Sequence, residues 1–481
     1  MRFNFKTLFL FFIFALFIRF TTSLAFRDWT LELNPKIKNT EIALISGDAT
    51  SYITPIENYI KTGTYFINQN GTKVFHGRGP YYGIVYFLFR LIFNEDNALT
   101  AVVCFQIIIE TLSIIYLSMI VLIITGKRKS FYITYFLSII NLQIAYYNNC
   151  LITESLSVSF LIFFMYNVLC FNSNKSKINF LFLSIFLAIV CVLKPYFLPL
   201  FAIPIYEIFK QIHSLKLKLK YVLVLILPFC IIVTPYTIRN LKHYNVFLPL
   251  SEKYAGYNYT SADFAYRKFV QAWGGSFVFW DKNSAGCYFE PKPDLPCNFV
   301  IPKYALCNAY TSMDIEKTRD LFIQYQKDPN KNLQDSVTNT FNRLTKLYIE
   351  ERPFQYYVMK PLRLVRIFLI HSGSFYLPIN YTNLGYLNFK WYLKILQSMF
   401  YYFILFAGFA GLYILIKRHL KLYFLGIVPV GLIVLFPLYL NSTEFRYFVC
   451  AVPFLIIGSS YFLIIKKAKK NNEKIGNNNS I

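Results

Sequence analysis

Long apolar runs dominate this sequence and limit the folds that it can adopt. The 481 residues are 56% hydrophobic and only 15% charged, a balance too apolar for a soluble protein of this length. A helix that spans a bilayer needs roughly 20 mostly apolar residues. We therefore predict an all-α polytopic membrane domain with about ten transmembrane helices. The predicted spans are residues 7–26, 97–125, 131–148, 155–171, 179–194, 196–209, 221–238, 391–416, 421–440 and 446–465.

Most of the net charge of +25 lies in short clusters between these runs. If the chain crosses the membrane ten times, every basic cluster lies on the same side as the N-terminal "MRFNFK". The positive-inside rule then predicts that both termini are cytoplasmic. This topology explains the charge better than nucleic-acid binding, which we do not expect. The clusters are "GKRKS" (126–130), "NSNKSK" (172–177), "KQIHSLKLKLK" (210–220), "KRHLK" (417–421) and "KKAKKNNEK" (466–474).

The first apolar run resembles a signal peptide in part. It has a basic start, an apolar centre and small residues near Ala25, as cleaved leaders do. Arg19 and the bulky residues before the candidate cleavage position favour retention of this segment as a membrane span.

The topology divides the chain into four parts. Residues 1–238 are predicted to form an N-terminal transmembrane catalytic module that includes a first outer loop, residues 27–96. Residues 239–390 are polar enough to form a mixed extracytoplasmic domain. Residues 391–470 are predicted to be C-terminal transmembrane helices, and residues 471–481 a polar tail.

Three shorter apolar and aromatic stretches are predicted to lie in the membrane interface rather than to cross it. They are too short to span, and aromatic side chains favour headgroup depth. The stretches are "TSYITPIENYI", "YYGIVYFLFRLIF" (81–93) and "MKPLRLVRIFLIHS" (359–372).

Three of the nine cysteines, Cys287, Cys297 and Cys307, lie in the long polar region. Outside the cytoplasm two of them could form a disulfide, which would leave one over. Their spacing of ten residues matches no common zinc site.

Distant parts of the chain bring ionisable residues to one predicted face of the membrane. Ionisable groups at membrane depth are costly and usually face a cavity or a partner, so this set predicts a site. Each residue also has a simpler explanation: the cations could snorkel to the interface, and the acids could cap or stabilise helix N-termini. The set consists of Asp48, His76, Arg78, Glu154, Lys194, Arg239, Asn240, Glu444 and Arg446.

One outward carboxylate beside several cations suits transfer of a group from a lipid phosphate. A phosphate is already a good leaving group, so it needs positive charge rather than a general acid, and Arg and Lys supply that charge. The acceptor hydroxyl needs a base, which one Asp can provide. These residues therefore suggest an inverting transfer.

Six segments, in this order, resemble the GT-C superfamily of membrane glycosyltransferases. The branch is that of the protein O-mannosyltransferases and the bacterial lipid A aminoarabinose transferases, and the similarity covers residues 1–260 and 440–460. The segments are "GDATSYITPIENYIKTGTY", "GRGPYYGIVYFLFRLIF", "ITESLSVSFLIFFMY", "VLKPYFLPLF", "PYTIRNLKHYNVFLPLSEKYAGYN" and "FRYFVCAVPFLI".

The resemblance implies an enzyme that uses a polyprenyl-phosphate-linked sugar on the extracytoplasmic face. It implies Asp48 as catalytic base, with Glu154 as the second candidate catalytic carboxylate. Gly79 replaces the first proline of the family's basic-Pro-Pro motif, which removes a stiffening residue from that loop. A lone Asp stands where many relatives have an Asp-Glu pair, so no metal-dependent mechanism is expected, and no cofactor is expected either. The implied donor-phosphate ligands are Arg78, Lys194, Arg239 and Arg446. The candidate substrate-binding residues are Tyr52, His76, Tyr81, Tyr82, Asn240 and Tyr447.

The acceptor could be a glycan, a lipid or a protein, and membrane lipids surround the chain. The abundance of Phe, Ile, Asn and Lys suggests an AT-rich bacterial genome and thus an inner membrane with the site facing the periplasm.

Three alternatives stay open: a transporter or flippase of a lipid-linked phosphate compound, another membrane transferase that uses His76, His243 or His371, and a non-catalytic scaffold.

Overall fold

A computed structural model describes residues 3–45, 47–69, 72–250, 259–274, 301–371, 373 and 389–478. These residues are predominantly helical. The first part of the chain contains α1 (Phe5–Leu33), α2 (Gly47–Thr62), α3 (Gly83–Arg90), α4 (Glu95–Thr125), α5 (Arg128–Ile139), α6 (Leu142–Ala145), α7 (Glu154–Asn174), α8 (Lys177–Leu193), α9 (Ala202–Gln211) and α10 (Leu215–Tyr244). The remainder contains α11 (Ser261–Trp273), α12 (Ser312–Lys327), α13 (Lys331–Glu351), α14 (Lys360–Arg366), α15 (Phe389–Arg418), α16 (Phe424–Ile433), α17 (Phe445–Phe448) and α18 (Val452–Asn478).

Sheet structure in the described residues is limited to two short antiparallel pairs in the first predicted loop. Strands β1 (Lys38–Asn39) and β2 (Leu44–Ile45) pair with each other, as do β3 (Ile67–Gln69) and β4 (Thr72–Val74). The second pair ends just before the segment that carries Arg78.

Six of the described helices are long and apolar enough to cross a membrane. The architecture is that of an all-α membrane protein. The six are Phe5–Leu33, Glu95–Thr125, Glu154–Asn174, Leu215–Tyr244, Phe389–Arg418 and Phe445–Ile465, and two shorter apolar helices are Lys177–Leu193 and Phe424–Leu440. These eight helices correspond to eight of the ten predicted spans, and the count of ten stays a prediction.

The other two predicted spans, residues 131–148 and 196–209, are broken helices. Helix α5 has 12 residues, about 18 Å at 1.5 Å per residue, against a hydrocarbon core of about 30 Å. The Asn141 side chain then accepts a hydrogen bond from the Ile144 N–H and starts α6 as a new helix. The second segment begins as a 3₁₀ turn, Pro195–Phe201, before α9.

The chain packs as two compact units. Unit 1 contains Met1–Tyr257, Ser374–Pro429 and Val449–Ile481, and unit 2 contains Asn258–Gly373 and Val430–Phe448. The predicted boundary at residue 238 falls within α10, which continues to Tyr244.

In unit 1, a buried ion pair joins α1 to α4. Arg19 Nε lies 2.8 Å from Glu110 Oε2, and both side chains are almost fully buried. The Arg19 guanidinium also donates to the Ser138 and Ile139 carbonyls at 2.6 and 2.8 Å. The Ser138 carbonyl also accepts from the Asn141 N–H at 3.2 Å. Arg19 thus adds hydrogen bonds to the carbonyls that end α5 and caps that helix.

Helices α15 and α18 approach closely because glycines lie at their contact. A Cβ added at Gly411 would meet the Gly458 carbonyl oxygen at 1.8 Å, and one added at Gly458 would meet the Gly408 oxygen at 2.1 Å. Small residues allow such backbone contact between membrane helices.

Unit 2 has an aromatic core of its own. Tyr266 stacks on Phe322 at 4.4 Å between ring centroids, and Phe269 contacts Phe341 at 5.6 Å. Cys307 is a buried free thiol. The other two cysteines of the predicted outer region, Cys287 and Cys297, lie outside the described residues.

Candidate functional site

Asp48 lies in the first turn of α2. A carboxylate there interacts favourably with the positive end of the helix dipole. Arg78 Nη2 donates to Asp48 Oδ1 at 3.1 Å. The Asp48 side chain is 37% exposed and the Arg78 side chain is 22% exposed, so molecules outside the chain can reach this pair.

Tyr52, one turn after Asp48 on α2, contacts the same guanidinium. Arg78 Nη1 donates to the Tyr52 hydroxyl at 2.7 Å, and the guanidinium carbon lies 4.5 Å from the Tyr52 ring centroid. The Tyr65 hydroxyl donates to the Arg78 backbone carbonyl at 2.8 Å. These contacts orient both the side chain and the backbone of Arg78.

A second ion pair, between Glu154 and Lys194, is buried. Lys194 Nζ lies 2.6 Å from Glu154 Oε1, with side chains 8% and 4% exposed. Glu154 opens α7 and Lys194 ends α8. Tyr52 lies close enough to Lys194 to interact with it electrostatically, so the two ion pairs are neighbours in unit 1.

Tyr82 contacts both Tyr52, which binds Arg78, and Gln106 of α4. Its ring contacts the Tyr52 ring at 5.1 Å, and its hydroxyl donates to Gln106 Oε1 at 2.9 Å. Burial, followed by the nearby Tyr52, Cys150 and Glu154, raises the pKa of Tyr82 well above its usual value. The hydroxyl therefore stays protonated as a donor.

Gln106 is a site residue that sequence reasoning missed. It lies in α4 and is fully buried, and its amide donates to the carbonyls of Asn148 and Cys150 at 2.8 and 3.2 Å. The contact holds the loop that leads to Glu154. A buried amide in an otherwise apolar span was the signal that could have identified it.

Arg239 contacts backbone carbonyls of the first loop. It donates to the Phe75 and Tyr65 carbonyls at 2.7 and 2.8 Å, and to the Asn240 side chain at 2.9 Å. Asn240 in turn donates to the Leu248 carbonyl at 3.1 Å. Arg239 thus acts as a clamp on the residues that flank the strand pair β3–β4, and Asn240 accepts a hydrogen bond from it.

Two other predicted substrate-binding residues of unit 1 lie around this clamp. The His76 ring lies 6.3 Å from the Tyr244 ring. The Tyr81 hydroxyl donates to the Pro249 carbonyl, and burial, followed by Tyr236, raises the pKa of Tyr81 well above its usual value.

Arg446 and Tyr447 belong to unit 2 and form their own cluster there. Arg446 Nε lies 2.6 Å from Glu444 Oε2, and Nη2 donates to the Tyr447 hydroxyl at 3.1 Å. The Tyr447 ring stacks on Phe436 at 4.2 Å.

An apolar groove of about 270 Å³ lies beside Arg78 in unit 1. Two lining residues, Tyr65 and Tyr236, also donate hydrogen bonds to the Arg78 carbonyl, at 2.8 and 3.4 Å. The groove is lined by Ile56, Tyr59, Tyr65, Pro80, Ile84, Phe87, Pro235, Tyr236 and Arg239.

Within the described ranges, no group of three or more His, Cys, Asp or Glu side chains is arranged to hold a metal ion. No protein-family model matches this chain, and no curated protein matches it significantly.

Proposed function

We propose that this chain is a membrane glycosyltransferase that moves a sugar from a polyprenyl phosphate to an acceptor hydroxyl. The observation that carries the proposal is the juxtaposition of two ion pairs, one accessible and one buried. Asp48 and Arg78 form the first, Glu154 and Lys194 the second, and Tyr52 lies within interaction distance of both cations.

In the proposed step, the acceptor oxygen attacks the anomeric carbon of the donor sugar. The bond from that carbon to the phosphate oxygen breaks, and the phosphate leaves with the electron pair. The acceptor proton passes to Asp48, and the configuration at the anomeric carbon inverts. Atoms and charges balance without a further reactant.

Arg78 has two successive tasks in this proposal. In the free enzyme it holds the Asp48 carboxylate in place through a charge-assisted hydrogen bond. A donor phosphate that enters the site competes for the guanidinium, which frees one carboxylate oxygen to accept the acceptor proton. Its second task is to stabilise the charge that develops on the leaving phosphate.

Lys194 supplies the second cation. Before the donor binds, the Glu154 carboxylate neutralises the buried Lys194 ammonium group. Glu154 would therefore act through Lys194 rather than directly on the sugar. Arg239 already donates to two carbonyls and an amide, so we assign it chiefly to holding the first loop. The predicted role of Arg446 on the donor phosphate stays a proposal.

The apolar groove beside Arg78 fits the first isoprene units of the donor. The acceptor could be a glycan, a lipid or a protein. Following the charge pattern of the sequence, we further propose ten spans and a site that faces the periplasm from a bacterial inner membrane.

The test is release of polyprenyl phosphate by the full chain in nanodiscs supplied with pooled polyprenyl-phosphate sugars and a periplasmic extract. We expect release by the wild type and its loss in Asp48→Asn. The matched control is Asp28→Asn, which removes an exposed carboxylate of α1 paired with Arg27 and should release normally. Undiminished release by Asp48→Asn would contradict the proposal.

The same experiment separates the proposal from a flippase. A flippase of lipid-linked phosphate would use the same cations and groove but would break no bond to the phosphate. It would bind the lipid and release no polyprenyl phosphate with any acceptor.

A further inference from the structure

Lys360 occupies a core-facing position in unit 2. Residues spaced by four lie on one face of a helix, and this face is formed by Tyr356, Lys360, Leu364 and Phe368. Leu364 and Phe368 are fully buried, and Lys360 is only 5% exposed. An ammonium among such neighbours is costly unless something compensates its charge.

The described part of the chain offers Lys360 no hydrogen-bond acceptor and no carboxylate. Its Nζ lies 4.0 Å from the Tyr356 ring centroid, a cation–π contact. Burial, followed by the charge of Arg363, lowers the pKa of Lys360 to about 8. The folded chain therefore holds this cation at a cost.

Arg363, one turn after Lys360, has an N–H group that the described residues leave without an acceptor. Its guanidinium carbon lies 3.7 Å from the Tyr304 ring centroid, and Nη2 donates to the Trp273 carbonyl at 3.1 Å. Its Nε is buried and has no partner among the described residues. Unsatisfied buried donors are uncommon and call for an explanation.

We propose that Lys360 and Arg363 form a binding site for a phosphate group. Two cations one turn apart, each over a tyrosine ring, leave donors that phosphate oxygens satisfy well. Tyr357 and Leu362, on the same segment, expose 65% and 61% of their surface, which favours a lipid headgroup over free phosphate as the source. This inference is independent of the proposed sugar transfer.

Lys360→Met separates binding from folding. It replaces a buried charge that has no carboxylate partner among the described residues by an apolar side chain of similar length, so we expect equal or higher thermal stability without ligand. Arg363→Gln is the second variant, in case the first repacks the core. The control is Lys346→Met, because Lys346 is 77% exposed on α13 of the same unit.

The experiment is thermal unfolding of the full chain in detergent at constant ionic strength, with phosphatidylglycerol, phosphatidylcholine or inorganic phosphate added. We expect phosphatidylglycerol to raise Tm of the wild type and of Lys346→Met. Lys360→Met and Arg363→Gln should need about tenfold more phosphatidylglycerol for the same rise in Tm. If inorganic phosphate raises Tm as much as phosphatidylglycerol does, the site exists and free phosphate can fill it. If inorganic phosphate raises Tm less, the site exists and the lipid headgroup fills it. The inference fails if no phosphate compound shifts the wild type, or if both site variants respond as it does.

Discussion

Tyr52 is the side chain that links the parts of the candidate site. Its hydroxyl accepts from Arg78, its ring lies under the same guanidinium, and its edge contacts Tyr82. A single residue of α2 thus orients the cation that neighbours Asp48. The hydroxyl and the ring contribute separately, so they can be tested separately.

We predict that Tyr52→Phe lowers kcat/KM for the donor about tenfold, because it removes one hydrogen bond to a charged group and keeps the cation–π contact. Tyr52→Leu removes both contacts and should lower kcat/KM further. Polyprenyl phosphate release measures both variants. Equal activity of Tyr52→Phe and wild type would show that the hydroxyl does not position Arg78.

Glu57 is a second acid of α2, which unlike Asp48 is buried, and it joins α2 to α3. Tyr86 and Arg90 of α3 donate to Glu57 Oε1 at 2.5 and 2.9 Å. Burial raises the pKa of Glu57, but these two hydrogen bonds and the positive charges of Arg90 and Lys61 together lower the pKa below 4.5, its usual value.

A carboxyl group whose pKa is lowered by folding stabilises the folded chain above its unfolded pKa. That contribution is lost as the pH falls through the folded pKa. We predict that Glu57→Gln loses less thermal stability than the wild type as the pH falls from about 4.5 to more acidic values. Glu41→Gln, at an exposed acid of the same loop, is the control. Parallel pH profiles for wild type and Glu57→Gln would contradict the assignment.

At the scale of elements, the sequence identified most helices from hydropathy but not where they break. Apolar composition alone could not show that residues 131–148 divide into α5 and α6. At the break, Asn141 caps the start of α6, and Arg19, far away in sequence, donates to the carbonyls at the end of α5. Long-range capping of this kind leaves no local pattern.

The Arg19–Glu110 pair gives a prediction for these elements. Arg19→Leu should destabilise the chain by about 3–5 kcal/mol, since it leaves a buried carboxylate without a partner. Arg19→Leu with Glu110→Leu should recover most of that loss. Denaturant unfolding of the single and double variants measures the difference. A double variant no more stable than the single one would show that capping of α5, rather than charge pairing, is the main role of Arg19.

The residues of the candidate site were predictable from the sequence, but their contacts were not. Asp48, Arg78, Glu154 and Lys194 stand out in sequence because charges are rare near apolar runs, and they form the two neighbouring pairs. The pairing itself was not predictable, and neither was the use of Arg239 on backbone carbonyls. The Asp48–Arg78 pairing and the contacts of Arg239 depend on how the first loop folds, and the Glu154–Lys194 pairing depends on how α7 packs against α8.

At the scale of the whole molecule, the spacing of basic clusters predicts the topology. Glycosylation or reporter-enzyme tags in the clusters at 126–130, 172–177 and 417–421 should all report the cytoplasmic side. A tag in the first loop near Thr62 should report the opposite side. Tags in successive clusters that report alternating sides would contradict the ten-span prediction and the outward-facing site.

In the proposed reaction, Asp48 serves the chemical step and not donor binding. The most direct measurement is single-turnover release of polyprenyl phosphate from Asp48→Asn loaded with donor, with the bound donor quantified beforehand. We predict wild-type occupancy and release slower by at least about a hundredfold, the usual contribution of a general base. Release of the bound donor at the wild-type rate would contradict the claim.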